Sequence, residues 1–226
     1  LACGHSARDT FEMVRDAGLL MERKPFAVGV RIEHPQKMID RAQYGAAAGH
    51  PALGAADYKL AVHTRSGRGV YTFCMCPGGE VVAAASEEGG VCVNGMSRHA
   101  RAGSNANSAL LVGVDPADLP GDDVLAGVAL QRQIEHAAFA AGRACGAADY
   151  TAPAQTVGDF LSGRSGGAST LVTPTYPRGV AWTDLHECLP AFVTEAMEEG
   201  LPLLDRKLSG FAHPEAVLTG VEARSS

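Results

Sequence analysis

Between residues 58 and 95 apolar and polar positions alternate in short runs, at 58–64, 70–76, 80–85 and 91–93. The runs are cut by Ser66-Gly67-Arg68-Gly69, Pro77-Gly78-Gly79 and Gly89-Gly90. Period-two alternation bounded by glycine turns predicts strands, and their close succession predicts an antiparallel meander. Asn94-Gly95 has the residues of one more hairpin turn. The apolar run 107–114, stopped by Asp115-Pro116, predicts a further strand.

Elsewhere the spacing is helical. Residues 1–3 read as a strand end that turns through Gly4-His5-Ser6 into an amphipathic helix with Phe11, Val14 and Ala17 on one face. Ser6 with Asp9 three residues later predicts a capping box, which satisfies free amides at the helix start. A half-buried strand is predicted at 26–33 and a short helix at 35–44, before an irregular Gly/Ala stretch at 45–56. A long helix over 122–143 is predicted from Leu130, Ile134, Ala137, Ala138, Ala141 and Cys145. A second, over 184–199, is capped by Thr183 and Asp184 and buries Leu185, Leu189, Phe192, Val193 and Met197. Residues 162–169 form a Gly/Ser-rich loop, and 216–223 read as a last strand. The fold class is therefore α+β, a mainly antiparallel β-sheet with helices packed against it.

Composition narrows the function classes. A formal net charge of -6, with 19 Lys and Arg scattered singly, gives no electrostatic footprint for nucleic acid. No apolar run approaches the ~20 residues that span a bilayer, and no signal-peptide pattern opens the chain. The six cysteines are dispersed without small-scaffold spacing and read as reduced thiols, so a cytoplasmic location is expected. The start at Leu1 and the stop just after a strand-like run predict that both ends are cut from a longer protein. A domain inserted into another fold leaves and returns at neighbouring points, so the strand at 26–33 is expected beside the one at 216–223.

Two segments are candidates for chemistry. Gly4, His5 and Ser6 lie at a strand-to-helix turn, where backbone amides and the helix dipole favour an anion, although a plain capped helix has the same signature. Cys74-Met75-Cys76 puts two thiols on one face of a strand end. Their Cα atoms would lie about 6.5 to 7 Å apart, an uncomfortable span for a disulfide, and two structural thiols are the default. Zinc would need Cys92 and His63 to approach as well, and no metal site is assigned. No histidine sits in a triad or H-E-x-x-H pattern, His136 reads as a surface or packing residue, and Arg31, Arg68 and Arg98 are candidates to bind a carboxylate or phosphate in a cleft, with solvated surface arginines the default. No G-x-G-x-x-G is present, so the chain by itself is not expected to hold a dinucleotide.

Longer strings carry a resemblance. Residues 4–10 (G-H-S-A-R-D-T), 24–35, 73–86, 105–112, 152–155 with 157–160, and 218–222 together resemble the large bacterial FAD-dependent dehydrogenases. In that layout an inserted domain interrupts a two-dinucleotide-fold flavoprotein. The resemblance implies that residues 1–22 are the edge of the FAD-binding domain, 23–214 the inserted α+β domain and 215–226 the return strand. It implies that Gly4, His5 and Ser6 border the FAD site, and that Cys74 and Cys76, as catalytic residues, face the isoalloxazine or substrate cleft. The activity implied is hydride transfer through FAD with NAD(P)H as a candidate donor and a small-molecule substrate, the isolated chain being inactive. Self-association into a homo-oligomer stays open. The alternatives are a non-catalytic binding module with structural cysteines and a thiol- or metal-dependent enzyme built on Cys74 and Cys76.

Overall fold

The computed structural model describes Gly4 and residues 6–225; the strand end expected at Leu1, Ala2 and Cys3 lies outside the described residues, as does His5. Helix α1 (Arg8–Asp16) is followed by β1 (Phe26–Pro35), α2 (Gln36–Tyr44), β2 (Ala61–His63), β3 (Gly69–Cys76), β4 (Gly79–Ala83), β5 (Val93–Ser97) and β6 (Asn105–Val114). Then come α3 (Ala126–Ala144), β7 (Ala152–Thr156), α4 (Val157–Leu161), β8 (Val180–Trp182), α5 (Ala191–Asp205) and β9 (Val217–Ser225).

Seven strands form one sheet in the order β2-β3-β6-β1-β9-β7-β8, antiparallel at every pairing except β7 with β8. The two ten-residue strands β1 and β6 run side by side in full register, from Phe26 opposite Val114 to Pro35 opposite Asn105. Both are buried along nearly their whole length, as near-continuous apolar runs are when both faces of a sheet are covered. On the other side of β1 lies β9, Arg31 opposite Thr219, as expected of the strands near 26–33 and 216–223.

The face of β1 carrying Val28, Val30 and Ile32 joins Ile134 and Ala138 of α3 and Met197 and Leu201 of α5 in the main core. The opposite face carries Arg31 and Glu33, both fully buried, and the separate β4–β5 hairpin lies over it. The α+β class is thus the observed architecture; the Arg31 face of the central sheet also carries a small apolar cluster of Ala27, Ala109 and Leu111, so its buried charges are confined to one end.

Several local expectations are corrected. The four strands between 58 and 95 are not one meander: β2 and β3 join the large sheet, while β4 and β5 pair only with each other. The chain leaves the sheet at Pro77-Gly78, Gly78 taking φ +51, and the longer apolar β6 occupies the place beside β3. Asn94-Gly95 is not a turn but the inside of β5. A Cβ on Gly95 would stand 2.0 Å from Arg31 Nη2 and 2.3 Å from Asn107 Oδ1, so glycine is there for close approach.

The Ser6–Asp9 capping box does not form, because α1 starts one residue later with Ala7 at its N-cap. Ala7, at φ -82 and ψ 63, makes an inverse γ-turn in which the Arg8 amide bonds Ser6 O at 3.0 Å. The helix expected over 184–199 is split at Pro190 into a single turn, Leu185–Glu187, capped by Asp184, and α5, which continues to Asp205. Strands β7 and β8 and helix α4 have no counterpart in the sequence reading. Ala-Pro-Ala-Gln-Thr at β7 is buried at all five positions and therefore shows no alternation to detect.

Candidate functional site

At the end of β3 the pairing with β6 slips: Phe73 faces Ala109, but Cys76 already faces Asn107. Cys74 and Met75 form a bulge, and Cys74 takes φ +46, a left-handed conformation that a non-glycine side chain holds only when its surroundings impose it. The imposing group is Arg31. Its Nη2 donates to Cys74 O at 2.9 Å and to Asn107 Oδ1 at 2.6 Å, with Cys76 Sγ at 3.5 Å. Its Nε donates to Asn107 Oδ1 at 3.0 Å, and its Nη1 pairs with Glu222 Oε2 at 3.1 Å. The default reading of Arg31 as a solvated surface residue is thereby overturned, since none of its side chain is exposed.

The two cysteines come together around this guanidinium but in different states. Cys74 is exposed, beside Phe73, which is 48% exposed in a strand otherwise half-buried or buried. Cys76 is buried, its Sγ donating to Cys74 O at 3.3 Å, and burial pushes its thiol up, against the opposing pull of Arg31. Cys76 is therefore held as a neutral thiol, while Cys74 is the one a reagent or substrate can reach.

Around the charge pair lies a polar layer. Burial raises the Glu222 carboxyl, opposed by Arg31. Burial likewise raises Glu33, opposed by hydrogen bonds from Thr175 and Asn105. Asn107 Nδ2 and Thr219 Oγ1 are buried with no hydrogen-bond partner among the described residues.

The following turn, Pro77 to Gly79, is fastened from three sides. The Gly78 amide donates to Gln36 Oε1 at 2.7 Å, Ser97 Oγ donates to Pro77 O at 2.7 Å, and the Gly103 amide donates to Gly78 O at 3.1 Å. Beside it a cavity of about 610 Å³ opens between α2 and the loops carrying His50 and Arg101.

Gly4 and Ser6 are both exposed at the head of α1; Gly4 takes φ +83 with open space where a side chain would stand. They are not part of the Arg31 cluster: α1 is held instead against α3 and the segment after β4, through Arg8 with Glu135 and Glu87. Among the described residues no three of His, Cys, Asp and Glu converge as a metal site, and Cys92 is buried while His63 is exposed. Arg68 pairs with Asp118 at 2.8 Å and the exposed Arg98 with Glu80 at 3.5 Å. His136 is exposed on α3.

Sequence reasoning missed Arg31, Asn107, Glu222 and Arg8 as organising residues. A signal for the first was present: Arg31 and Glu33 stand two apart in an otherwise apolar run flanked by Gly29, which puts two charges on one face of a central strand.

Residues 25–225 match a family model described as FAD-dependent protein, C-terminal domain-like. An uncharacterized protein of Clostridium beijerinckii is 50% identical over 227 residues, covering 100% of this chain and 42% of that relative. The chain thus spans well under half the length of the curated relative it matches.

Proposed function

The chain belongs to the FAD-dependent protein, C-terminal domain-like family, and on that footing we propose that it is the inserted, substrate- or partner-facing part of an FAD-dependent oxidoreductase. In the full-length protein FAD would supply the hydride-transfer chemistry, with NAD(P)H as its donor and a small molecule as substrate. Residues 1–22 are then the border of the FAD-binding part, 23–214 the inserted domain, and 215–226 the return, which completes the sheet as β9 on its way. In this proposal the protein is cytoplasmic, on the dispersed cysteines read as reduced thiols; among the described residues no helix is long and apolar enough to cross a membrane.

The described residues fit an edge of FAD and not a cradle for all of it. Gly4 and Ser6 are exposed at the head of α1, with open space where a side chain on Gly4 would stand, whereas no G-x-G-x-x-G turn is present to take the pyrophosphate. Gly4, His5 and Ser6 would border the flavin, and the isolated chain would neither bind it tightly nor turn over.

The observation that carries the reading is the Arg31 anchor. A fully buried guanidinium holds a strained bulge from which Cys74 faces outward and Cys76 does not. In this proposal Cys74 contacts substrate or flavin, and Cys76, as a neutral hydrogen-bonding thiol, keeps the bulge in shape. The burial of Cys76 equally suits a binding module without redox chemistry. One experiment separates the two: the visible spectrum of the full-length protein, followed anaerobically on addition of NADH or NADPH. Flavin bands that bleach support the oxidoreductase; a protein that neither copurifies with FAD nor binds it supports the binding module.

A further inference from the structure

Arg8 is 1% exposed although it is the first residue of a helix at the edge of the fold. Its guanidinium grips Glu135 of α3 with both nitrogens, Nη2 to Oε1 at 2.7 Å and Nη1 to Oε2 at 3.0 Å. It also bonds Gln131 Oε1 at 3.3 Å and pairs with Glu87, in the segment that follows β4. Arg132 of α3 closes the network, with Nη1 2.6 Å from Glu12 Oε1 of α1 and Nη2 2.8 Å from Glu87 Oε1. Hydrogen bonds from Arg132 and then Arg8 hold the Glu87 carboxyl down to about 2, so it stays ionised at neutral pH.

This network has a mechanical reach. A nine-residue helix is too short to hold itself in water, so the placement of α1 rests on its tertiary ties. The Arg8 amide bonds Ser6 O, which makes the position of Arg8 the position of the turn before it. On the other side, Glu87 lies four residues after β4, and β4 begins at Gly79, the end of the turn that follows Cys74 and Cys76. Arg8, backed by Arg132, therefore ties the Gly4 and Ser6 turn to the segment that leads from the cysteine turn.

We propose that Arg8 is a positioning residue for the flavin, holding the turn that carries Gly4 and Ser6 in register with the Cys74 to Gly79 turn without touching the cofactor. The proposal rests on the flavin reading above. Removing Arg8 alone would take the bidentate cation from the buried Glu135 and destabilise the fold, so the test uses Arg8→Met with Glu135→Met, an apolar replacement of a buried ion pair that often preserves folding. In the full-length protein this double variant is expected to melt as cooperatively as wild type while binding added FAD about tenfold more weakly, the size of a typical coupling between sites. The visible circular dichroism of its bound flavin should change as well.

Wild-type FAD affinity and flavin dichroism in the folded double variant would overturn the positioning role. If the double variant does not fold, Glu87→Ala decides, since it removes the bonds of Arg8 and Arg132 to the segment after β4 and leaves Arg8 with Glu135. Weaker FAD binding in it supports the proposal, and unchanged binding overturns it. A wild-type full-length protein that binds no FAD removes the flavin reading itself, an outcome visible before any variant is compared.

Discussion

Arg31 Nη1 and Glu222 Oε2 stand 3.1 Å apart across the centre of the sheet, joining β1 to β9 with neither side chain appreciably exposed. A charge pair in this setting is asymmetric in its energetics. Arg31→Met leaves Glu222 without its counter-charge and frees the bulge at Cys74, and should destabilise the fold by about 3–5 kcal/mol. Arg31→Met combined with Glu222→Met removes both charges and should recover most of that loss. Urea unfolding of wild type, the two single variants Arg31→Met and Glu222→Met, and the double variant measures the coupling, and additive effects would show that the pair does not act as a unit.

Gly95→Ala places a methyl group where Arg31 Nη2 and Asn107 Oδ1 now lie. The tip of an arginine normally moves aside cheaply, but this one is fixed by Cys74 O, Asn107 and Glu222. The substitution should therefore cost about 1–3 kcal/mol, as overpacking does. It should also loosen the bulge, so that the Cys76 thiol reacts faster with a thiol reagent than in wild type. A variant of unchanged stability and unchanged Cys76 reactivity would show that the guanidinium is not locked.

What the sequence made legible follows from where the physics is local. The alternation in β1 and β3, the apolar run of β6 and the stripe of α3 appear in the residues because each element buries one or both faces by itself. The pairing of β3 with β6 instead of β4 does not, because it depends on a bulge fixed by an arginine 43 residues away. The same holds for the site. The cysteines could be singled out by their spacing, but that only Cys74 is exposed depends on Arg31, and that α1 is pinned depends on Glu135, 127 residues from Arg8. The glycine of Asn94-Gly95 misled for a related reason: it answers to a side chain above it and not to its own backbone turn.

Thiol labelling should divide the described cysteines sharply. Cys74 and Cys145 are exposed, whereas Cys76, Cys92 and Cys188 are buried. Burial also pushes the Cys188 thiol up to about 12, leaving almost no thiolate at neutral pH. In a background with Cys3→Ser, a disulfide reagent should modify Cys74 and Cys145 quickly and the other three only after denaturation. Rapid labelling of Cys76 in the native protein would contradict the geometry of the bulge.

His34 should make the fold sensitive to mild acid. Its ring is fully buried with Nε2 2.7 Å from the Phe211 carbonyl, which can only accept, so Nε2 carries the proton and Nδ1 has no partner among the described residues. Burial lowers its pKa from 6.5 to about 4, with His213 adding to the shift, and Asp205 and the Phe211 carbonyl opposing it. A folded pKa below the unfolded one means that the unfolded chain binds the proton more tightly. The contribution of His34 is therefore complete above 6.5 and is lost progressively as the pH falls to about 4, a swing of about 3 kcal/mol. The carboxyls of Glu33 and Glu222, raised by burial, act in the opposite sense, so the comparison is best made against His34→Gln. Urea midpoints of wild type should fall between those two pH values more steeply than those of the variant; parallel curves would show that the ring is not buried in its neutral form.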